Sequence, residues 1–202
     1  MSSQEPSKEQ PQEPQRHENE KNKNLRPLSR YITTHNPSGQ AIFSPLLPEN
    51  LPSTRIPDGA HFSLAYTTST TPASLSTDTD INTYASYLSP NNAPGLTISN
   101  GTVCRIVDIQ PGMTSPMHRT VSLDYGVVLE GSVELLLDSG EKRCLGRGDV
   151  AVQRGTRHAW RNVSKEDWAR MLYVLVPVEG VVFGDGKELG EELDGMGVRG
   201  ST

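Results

Sequence analysis

The chain has 202 residues, a net charge of −5 and an apolar content of 34%. This length suits one domain with extensions, and the low apolar content indicates that part of the chain does not join a folded core. The acidic balance, without a basic patch or stripe, argues against a nucleic-acid-binding protein. Neither a secretory leader nor a run of roughly 18 apolar residues is visible, so we expect a cytoplasmic protein without a membrane partner.

The first 30 residues predict a disordered tail. They are rich in Gln, Glu, Pro, Lys and Asn, so they bury too little apolar surface to offset the entropy lost on ordering. Residues 31–95 predict an arm that packs on the main domain. Among its many turn signals, alternating apolar residues favour a strand over 60–69, and helical spacing after Asp and Thr favours a short capped helix over 77–88.

Residues 96–180 predict an all-β domain. Short β-prone runs such as "TVCRIVDI" end at glycine-containing turns, and a last long apolar strand covers 169–178. Short strands with turn signals about every eight to twelve residues are typical of a β-sandwich or barrel. The polar, Gly-rich residues 181–202 predict a flexible C-terminal tail.

Two histidine-bearing stretches of the β domain form the candidate site. If "HRTVSLDYG" (118–126) is a strand, one face presents four polar side chains. These are His118, Thr120, Ser122 and Asp124. The second stretch, "GDVAVQRGTRHAWRN" (148–162), presents His158, Trp160 and Asn162 on one face, and Gln153 ends the strand before its turn. A single strand histidine usually has a structural role, but two such strands, each after a glycine-containing turn, indicate a site.

Both stretches resemble the two motifs of the cupin family. The spacing of the first motif is matched by the Pro-Gly pair at 111–112, His118, Thr120, Asp124 and Gly131. The second motif is a Gly-Asp pair that leads to a His and then an Asn, as in residues 148–162. The resemblance covers about residues 102–178 and looks closest to small single-domain fungal cupins of natural-product pathways. It implies the family's jelly-roll barrel, a double-stranded β-helix.

The cupin resemblance implies that His118, Asp124 and His158 bind a divalent transition metal. Two imidazoles and one carboxylate with open positions suit Fe(II) first, with Mn, Ni, Co and Zn as alternatives. Thr120 stands where the family has a second histidine, and Asp124 is one carbon shorter than the usual Glu, so the hydroxyl of Thr120 is expected to contact a bound water. The alternative is a degenerate cupin whose two histidines hydrogen-bond each other and bind no metal.

The resemblance further implies a metal-dependent oxidoreductase that modifies a small polyketide-like intermediate of secondary metabolism. The expected substrate pocket contains Thr120, Ser122, Gln153, Trp160 and Asn162. A lyase or isomerase, and a cupin that binds a small molecule without catalysis, remain open as alternatives, because one fold supports many chemistries. We also expect a homodimer, because the strand over 60–69 needs a partner for its edge.

Overall fold

The computed structural model describes residues 24–182 and 184–201. As expected for an all-β protein, most of its elements are strands, and the α-helix α1 spans Thr79–Tyr87. The strands are β1 (Thr33–His35), β2 (Ala41–Phe43), β3 (Thr54–Arg55), β4 (His61–Thr68), β5 (Thr102–Ile109), β6 (Ser122–Glu130), β7 (Ser132–Leu137), β8 (Lys142–Gly146), β9 (Val150–Arg154), β10 (His158–Asn162), β11 (Ala169–Pro177), β12 (Val181–Val182) and β13 (Glu188–Leu189).

Two antiparallel sheets form the body of the protein. The larger sheet has six strands in the order β3-β4-β5-β11-β6-β9, and the smaller has the order β10-β7-β8. Their inward-facing apolar side chains pack into a common core that includes Val107, Val128, Val133, Trp160 and Met171. Because side chains alternate between the two faces of a strand, the same strands that build this core can also present polar groups to its interior.

Tight turns fix the register of the strands that carry the candidate site. Gly131 joins β6 to β7 with φ at +75°, and a Cβ atom there would lie 3.2 Å from the backbone of Ala169, so a side chain would be both strained and crowded. The β7–β8 hairpin turns at Gly140, also at positive φ. Strand β7 then pairs with β10, and His158 lies opposite Leu137.

The N-terminal arm contributes a strand to the main sheet. Strand β4 pairs along its length with β5, and α1 packs against it through Tyr84, whose hydroxyl donates to the carbonyl of Leu64 at 2.7 Å. The helix was expected to have a side-chain cap, but Asp78 makes no cap hydrogen bond and instead accepts one from the hydroxyl of Thr34 at 2.7 Å.

The pairing of β4 bears on the expected homodimer. That expectation depended on an unpaired edge along the strand over 60–69. In the structure β4 pairs with β5 on one side and, at its start, with β3 on the other. The pairing with β3 covers only His61 and Phe62, so the rest of that edge has no strand partner among the described residues, and the homodimer stays a prediction.

Both ends of the described chain pack on the barrel. The disorder expected for the first 30 residues lies mostly outside the described residues, but the carbonyl of Arg26 accepts from Arg170 at 2.9 Å. The C-terminal residues were expected to be flexible, yet Glu192 exchanges two backbone hydrogen bonds with Arg119, and Met196 is buried beside Leu96. Widely spaced apolar residues anchor this polar segment. Among the described residues, no helix is long and apolar enough to cross a membrane.

Candidate active site

Backbone pairing brings His118 and His158 together. Each donates its N–H to the other's carbonyl at 2.8 Å, and the two ring centroids are 4.4 Å apart. The Nδ1 atoms lie 2.9 Å from the carbonyl oxygens of Pro116 and Thr156, respectively. Because a carbonyl oxygen only accepts, each Nδ1 carries the proton of the neutral ring, and each Nε2 keeps its lone pair for a ligand.

Burial keeps both rings of this histidine pair neutral at neutral pH. It lowers the pKa of His158 to about 4, and the neighbouring His118 lowers it as well, against the opposing effect of the Thr156 carbonyl. Burial also lowers the pKa of His118, while the carbonyl of Pro116 and the charge of Asp58 oppose that shift. A neutral imidazole is the form in which histidine binds a metal ion.

Asp124 is a buried carboxylate on β6 held by two hydroxyl groups. Ser122 donates to one carboxylate oxygen, Thr120 lies 3.3 Å from the other, and the two hydroxyls also contact each other. Burial raises the pKa of Asp124 to about 6, although both hydroxyls act in the opposite direction. The carboxyl of Asp124 therefore changes protonation near neutral pH, where proton transfer by a side chain is most effective.

The raised pKa predicts that Asp124→Asn stabilises the protein. Because about 6 exceeds the ordinary value of 3.8, the folded state binds this proton more tightly than the unfolded state. Ionisation of Asp124 therefore lowers the free energy of unfolding as the pH rises from about 4 to about 6, by roughly 3 kcal/mol in all. Urea unfolding of metal-free protein should find Asp124→Asn more stable than the parent above this range and similar below it.

The control for this measurement is Asp138→Asn, which changes an exposed carboxylate in the β7–β8 turn. It should leave the pH profile of stability unchanged. If the parent and Asp124→Asn show the same dependence of unfolding on pH, the carboxyl of Asp124 has an ordinary pKa and the argument from its burial is wrong.

The candidate site opens into a cavity of about 70 Å³ between the sheets. The lining includes His118, Thr120, Asp124, His158 and Trp160 from the residues predicted as ligands or pocket. Trp160 stands between His158 and Tyr173, with ring centroids 6.0 and 5.8 Å away. The rest of the lining is mainly apolar, with side chains such as Phe62, Leu96, Ile109, Met113, Leu175 and Met196.

Three residues predicted for the substrate pocket do not line this cavity. Ser122 is fully buried beside Asp124, which it contacts. Gln153, on β9, lies opposite Asp124. The side-chain carbonyl of Gln153 accepts a hydrogen bond from the hydroxyl of Thr156. Asn162 is corrected to a structural role, because its amide donates to the carbonyls of Ile109, Gln110 and Asp167. Asn162 is the last residue of β10, and its amide satisfies backbone carbonyls that would otherwise lack a hydrogen-bond donor.

Four polar residues of the cavity, Ser115 among them, were not predicted from the sequence. Asp58 comes from a Pro-Asp-Gly turn in the arm, and its charge acts on the pKa of His118. Arg105 projects from β5, and Tyr173 projects from β11 with its hydroxyl 3.0 Å from the sulfur of Met171. Arg105 had a detectable signal, since it is one of two charged residues, with Asp108, in the mainly apolar run "TVCRIVDI". Asp58 had none beyond its turn.

The donors fit in part the divalent metal that the cupin resemblance implies. A neutral imidazole whose Nδ1–H is held by a backbone carbonyl is the usual arrangement of a metal-binding histidine, and this site has two. Within the described part of the chain, however, no three His, Cys, Asp or Glu side chains are close enough to hold one ion. His118 and His158 therefore form a matched pair of nitrogen donors, whereas Asp124 is hydrogen-bonded to Ser122 and Thr120.

Comparison with known proteins places this site in a family. Residues 105–175 match the model of the cupin domain. "Phomopsin biosynthesis cluster protein C'" of Diaporthe leptostromiformis is 48% identical over 181 residues, which cover 90% of this chain and 94% of that protein. "Oryzines biosynthesis cluster protein J" of Aspergillus oryzae is 47% identical over 166 residues, or 82% and 91% of the two chains.

A third relative has a name that states its class. "Cupin-domain-containing oxidoreductase virC" of Hypocrea virens is 41% identical over 165 residues, which cover 80% of this chain and 81% of that protein. The matches extend well beyond the cupin domain into the flanking segments, in keeping with the arm's place in the main sheet. With two sheets around a histidine-lined cavity, and with relatives of this identity and coverage, the chain belongs to the cupin family, among its cupin-domain-containing oxidoreductases.

Proposed function

We propose that this protein is a metal-dependent oxidoreductase that acts on one end of a small polyketide-like molecule in the cavity beside His118 and His158. The histidine pair carries the proposal. Its two rings are buried and neutral, their centroids are 4.4 Å apart, and both line the same cavity. Each ring keeps Nε2 for a ligand because its Nδ1 is held by a carbonyl.

An oxidation needs an electron acceptor, and the residues around the cavity supply none. The thiols of Cys104 and Cys144 are free, but neither lines the cavity. The electrons would pass to an external oxidant such as dioxygen. A divalent transition metal on the Nε2 atoms of His118 and His158, with Fe(II) favoured over Mn, Ni, Co or Zn, would supply the redox chemistry that this transfer needs. The protein's own contribution is to hold these two donors in one tautomer and to exclude water from a largely apolar cavity.

Asp124 is the third group of the proposed site, and we assign it the role of proton acceptor. Its carboxylate lines the cavity, and a pKa of about 6 leaves it mostly ionised at neutral pH yet basic enough to take a proton from the substrate. The sequence suggested that Asp124 is a metal ligand. The two roles differ in outcome: Asp124→Asn loses the metal if Asp124 is a ligand, and keeps the metal but loses turnover if it accepts a proton.

The size and lining of the cavity favour a substrate that enters with one end. A volume of about 70 Å³ is well below the roughly 300–1,000 Å³ of sites that enclose a whole drug-sized ligand. Apolar side chains dominate the lining, which suits a carbon-rich group. Two relatives are named for the biosynthesis of phomopsin and of oryzines, which supports a tailoring step in secondary metabolism for this protein too.

A second candidate is an isomerase or lyase that moves protons without net oxidation. Two observations favour it: the described residues contain no three-ligand cluster, and Asp124 has a pKa suited to proton transfer. The two reactions are separated by the consumption of oxygen or of another electron acceptor. An oxidoreductase consumes the acceptor in proportion to product, whereas an isomerase or lyase does not.

The direct test is the metal content of protein purified without chelator. We expect close to one transition metal ion per chain, or its recovery when Fe(II) is added without oxygen. Thr120→His should retain metal more strongly, because it adds an imidazole to the cavity wall beside Asp124. A parent protein that neither contains a transition metal nor binds added Fe(II) would contradict the metal-dependent proposal. It would favour a cupin that binds a small molecule without catalysis, or an isomerase or lyase that needs no metal.

A further inference from the structure

Arg105 is a buried cation in the wall of the same cavity. The residue is 6% exposed, and its side chain lines the cavity together with His118 and Asp124. One Nη donates to the carbonyl of Gly95 at 2.9 Å, and the guanidinium carbon lies 4.8 Å from the ring centroid of Phe62. Within the described chain, none of the observed ion pairs gives Arg105 a carboxylate partner.

A second buried arginine in the same sheet shows the contrast. Arg170, on the neighbouring strand β11, is 5% exposed, and its Nε and Nη atoms contact both carboxylate oxygens of Asp108 at 2.6 and 2.8 Å. That bidentate pair offsets the cost of taking a guanidinium out of water, which is several kcal/mol for an unpaired ion. Arg105 has the same burial without this compensation, so packing alone does not account for it.

The charge of Arg105 is present under ordinary conditions. Burial lowers its pKa to about 10, so the group remains protonated at neutral pH. A guanidinium has five N–H donors in a planar fork that matches a carboxylate, and the described contacts use one of them for a backbone carbonyl. The cation–π contact with Phe62 and the hydrogen bond to Gly95 restrain the position of the guanidinium.

The sheet register places Arg105 at a useful separation from the candidate catalytic groups. Arg105 lies opposite Tyr173 on β11, and Tyr173 lies opposite Gly126 on β6, two residues from Asp124. Gly126 is two strand spacings, about 10 Å, from Arg105, and Asp124 is displaced by about another 7 Å along β6. If an anionic group of the substrate bound to Arg105, the next few atoms of the substrate would therefore extend along the cavity towards Asp124 and the histidine pair.

We propose that Arg105 binds a carboxylate of the substrate and so sets both its orientation and its chemical class. This inference rests on the proposed function, and it specifies that the molecule entering the cavity is a carboxylic acid. The apolar lining accommodates the carbon atoms next to that carboxylate, and the fork of Arg105 receives the charge.

Butyrate and its neutral amide, butyramide, are suitable probes because they share size and shape and differ in charge. Binding to the whole protein is followed by NMR titration at neutral pH. A hydrogen bond to a charged group contributes about 1.5–3 kcal/mol, so the parent should bind butyrate at least about tenfold more tightly than butyramide. Side-chain ¹⁵N resonances of Arg105 should shift with butyrate and not with butyramide.

Variants assign the preference to one side chain. Arg105→Met should remove the preference for butyrate, and Arg105→Lys should keep part of it, because lysine retains the charge without the planar fork. Arg143→Met removes an exposed arginine on β8 and should change nothing. His158→Ala should keep the preference, so a failure of the proposed metal chemistry is distinguishable from a failure of this carboxylate site.

Three results would overturn the carboxylate site. The first is that the parent binds both probes equally, and the second is that the resonances of Arg105 do not respond to butyrate. The third is that a folded Arg105→Met variant keeps the preference for butyrate. The first two need only the parent protein, so they decide the matter even if Arg105→Met does not fold. Loss of the preference in His158→Ala with Arg105 intact would assign the anion to the histidine pair instead, and would also count against Arg105.

Discussion

His158→Ala and His118→Ala are expected to abolish metal binding and to lower turnover more than about 100-fold, with the barrel still folded. A single remaining imidazole holds a divalent ion poorly, and loss of a ligand should exceed the roughly 10–100-fold effect of losing a group that only orients one. Folding should survive, because each ring makes a local hydrogen bond, to a carbonyl two residues earlier in the chain.

Elemental analysis and anaerobic titration with Fe(II) measure the first part of this expectation, and circular dichroism checks the fold. His35→Ala is the matched control, because it removes an exposed histidine of β1 that lies outside the cavity. It should behave like the parent. If both His118→Ala and His158→Ala bind Fe(II) with the parent's affinity, the histidine pair is not the metal site and its pairing has only a structural role.

Arg170→Met is expected to lower the free energy of unfolding by about 3–5 kcal/mol. The substitution leaves the carboxylate of Asp108, which is 2% exposed, without the two charged hydrogen bonds that it receives from Arg170. It also removes the donor to the carbonyl of Arg26, so the first described residues lose a contact with the barrel. Urea unfolding measures the loss.

Two further variants separate burial from charge in this experiment. Arg147→Met breaks an exposed ion pair with Glu130 and should cost less than about 1 kcal/mol. The double variant Arg170→Met with Asp108→Leu should recover most of the stability, because it removes both buried charges together. A small loss in Arg170→Met, equal to that of Arg147→Met, would show that the buried pair is not important for stability.

The sequence alone determined the β elements and the cupin character of the domain. Strand β5 was predicted from a short β-prone run that ends at a glycine-containing turn, and β11 from the last long apolar run. These signals are local, since side-chain alternation and turn chemistry depend on neighbouring residues only. Within the first stretch, alternation grouped His118, Thr120 and Asp124, which all line the cavity, although β6 itself begins only at Ser122. His158 reaches the same cavity from β10, in the other sheet.

Only the tertiary structure decided which polar residues meet. Parity grouped Asn162 with His158, yet Asn162 donates to backbone carbonyls beyond the strand end. Ser122 and Gln153 lie beside Asp124 without lining the cavity. Arg105 and Asp58 come to the cavity from β5 and from the arm, and Met196 from the C-terminal segment. Such contacts join residues far apart in the chain, so they depend on how the sheets pack, which no local periodicity encodes. The spacing of the proposed metal ligands is decided in the same way, by the positions of separate strands.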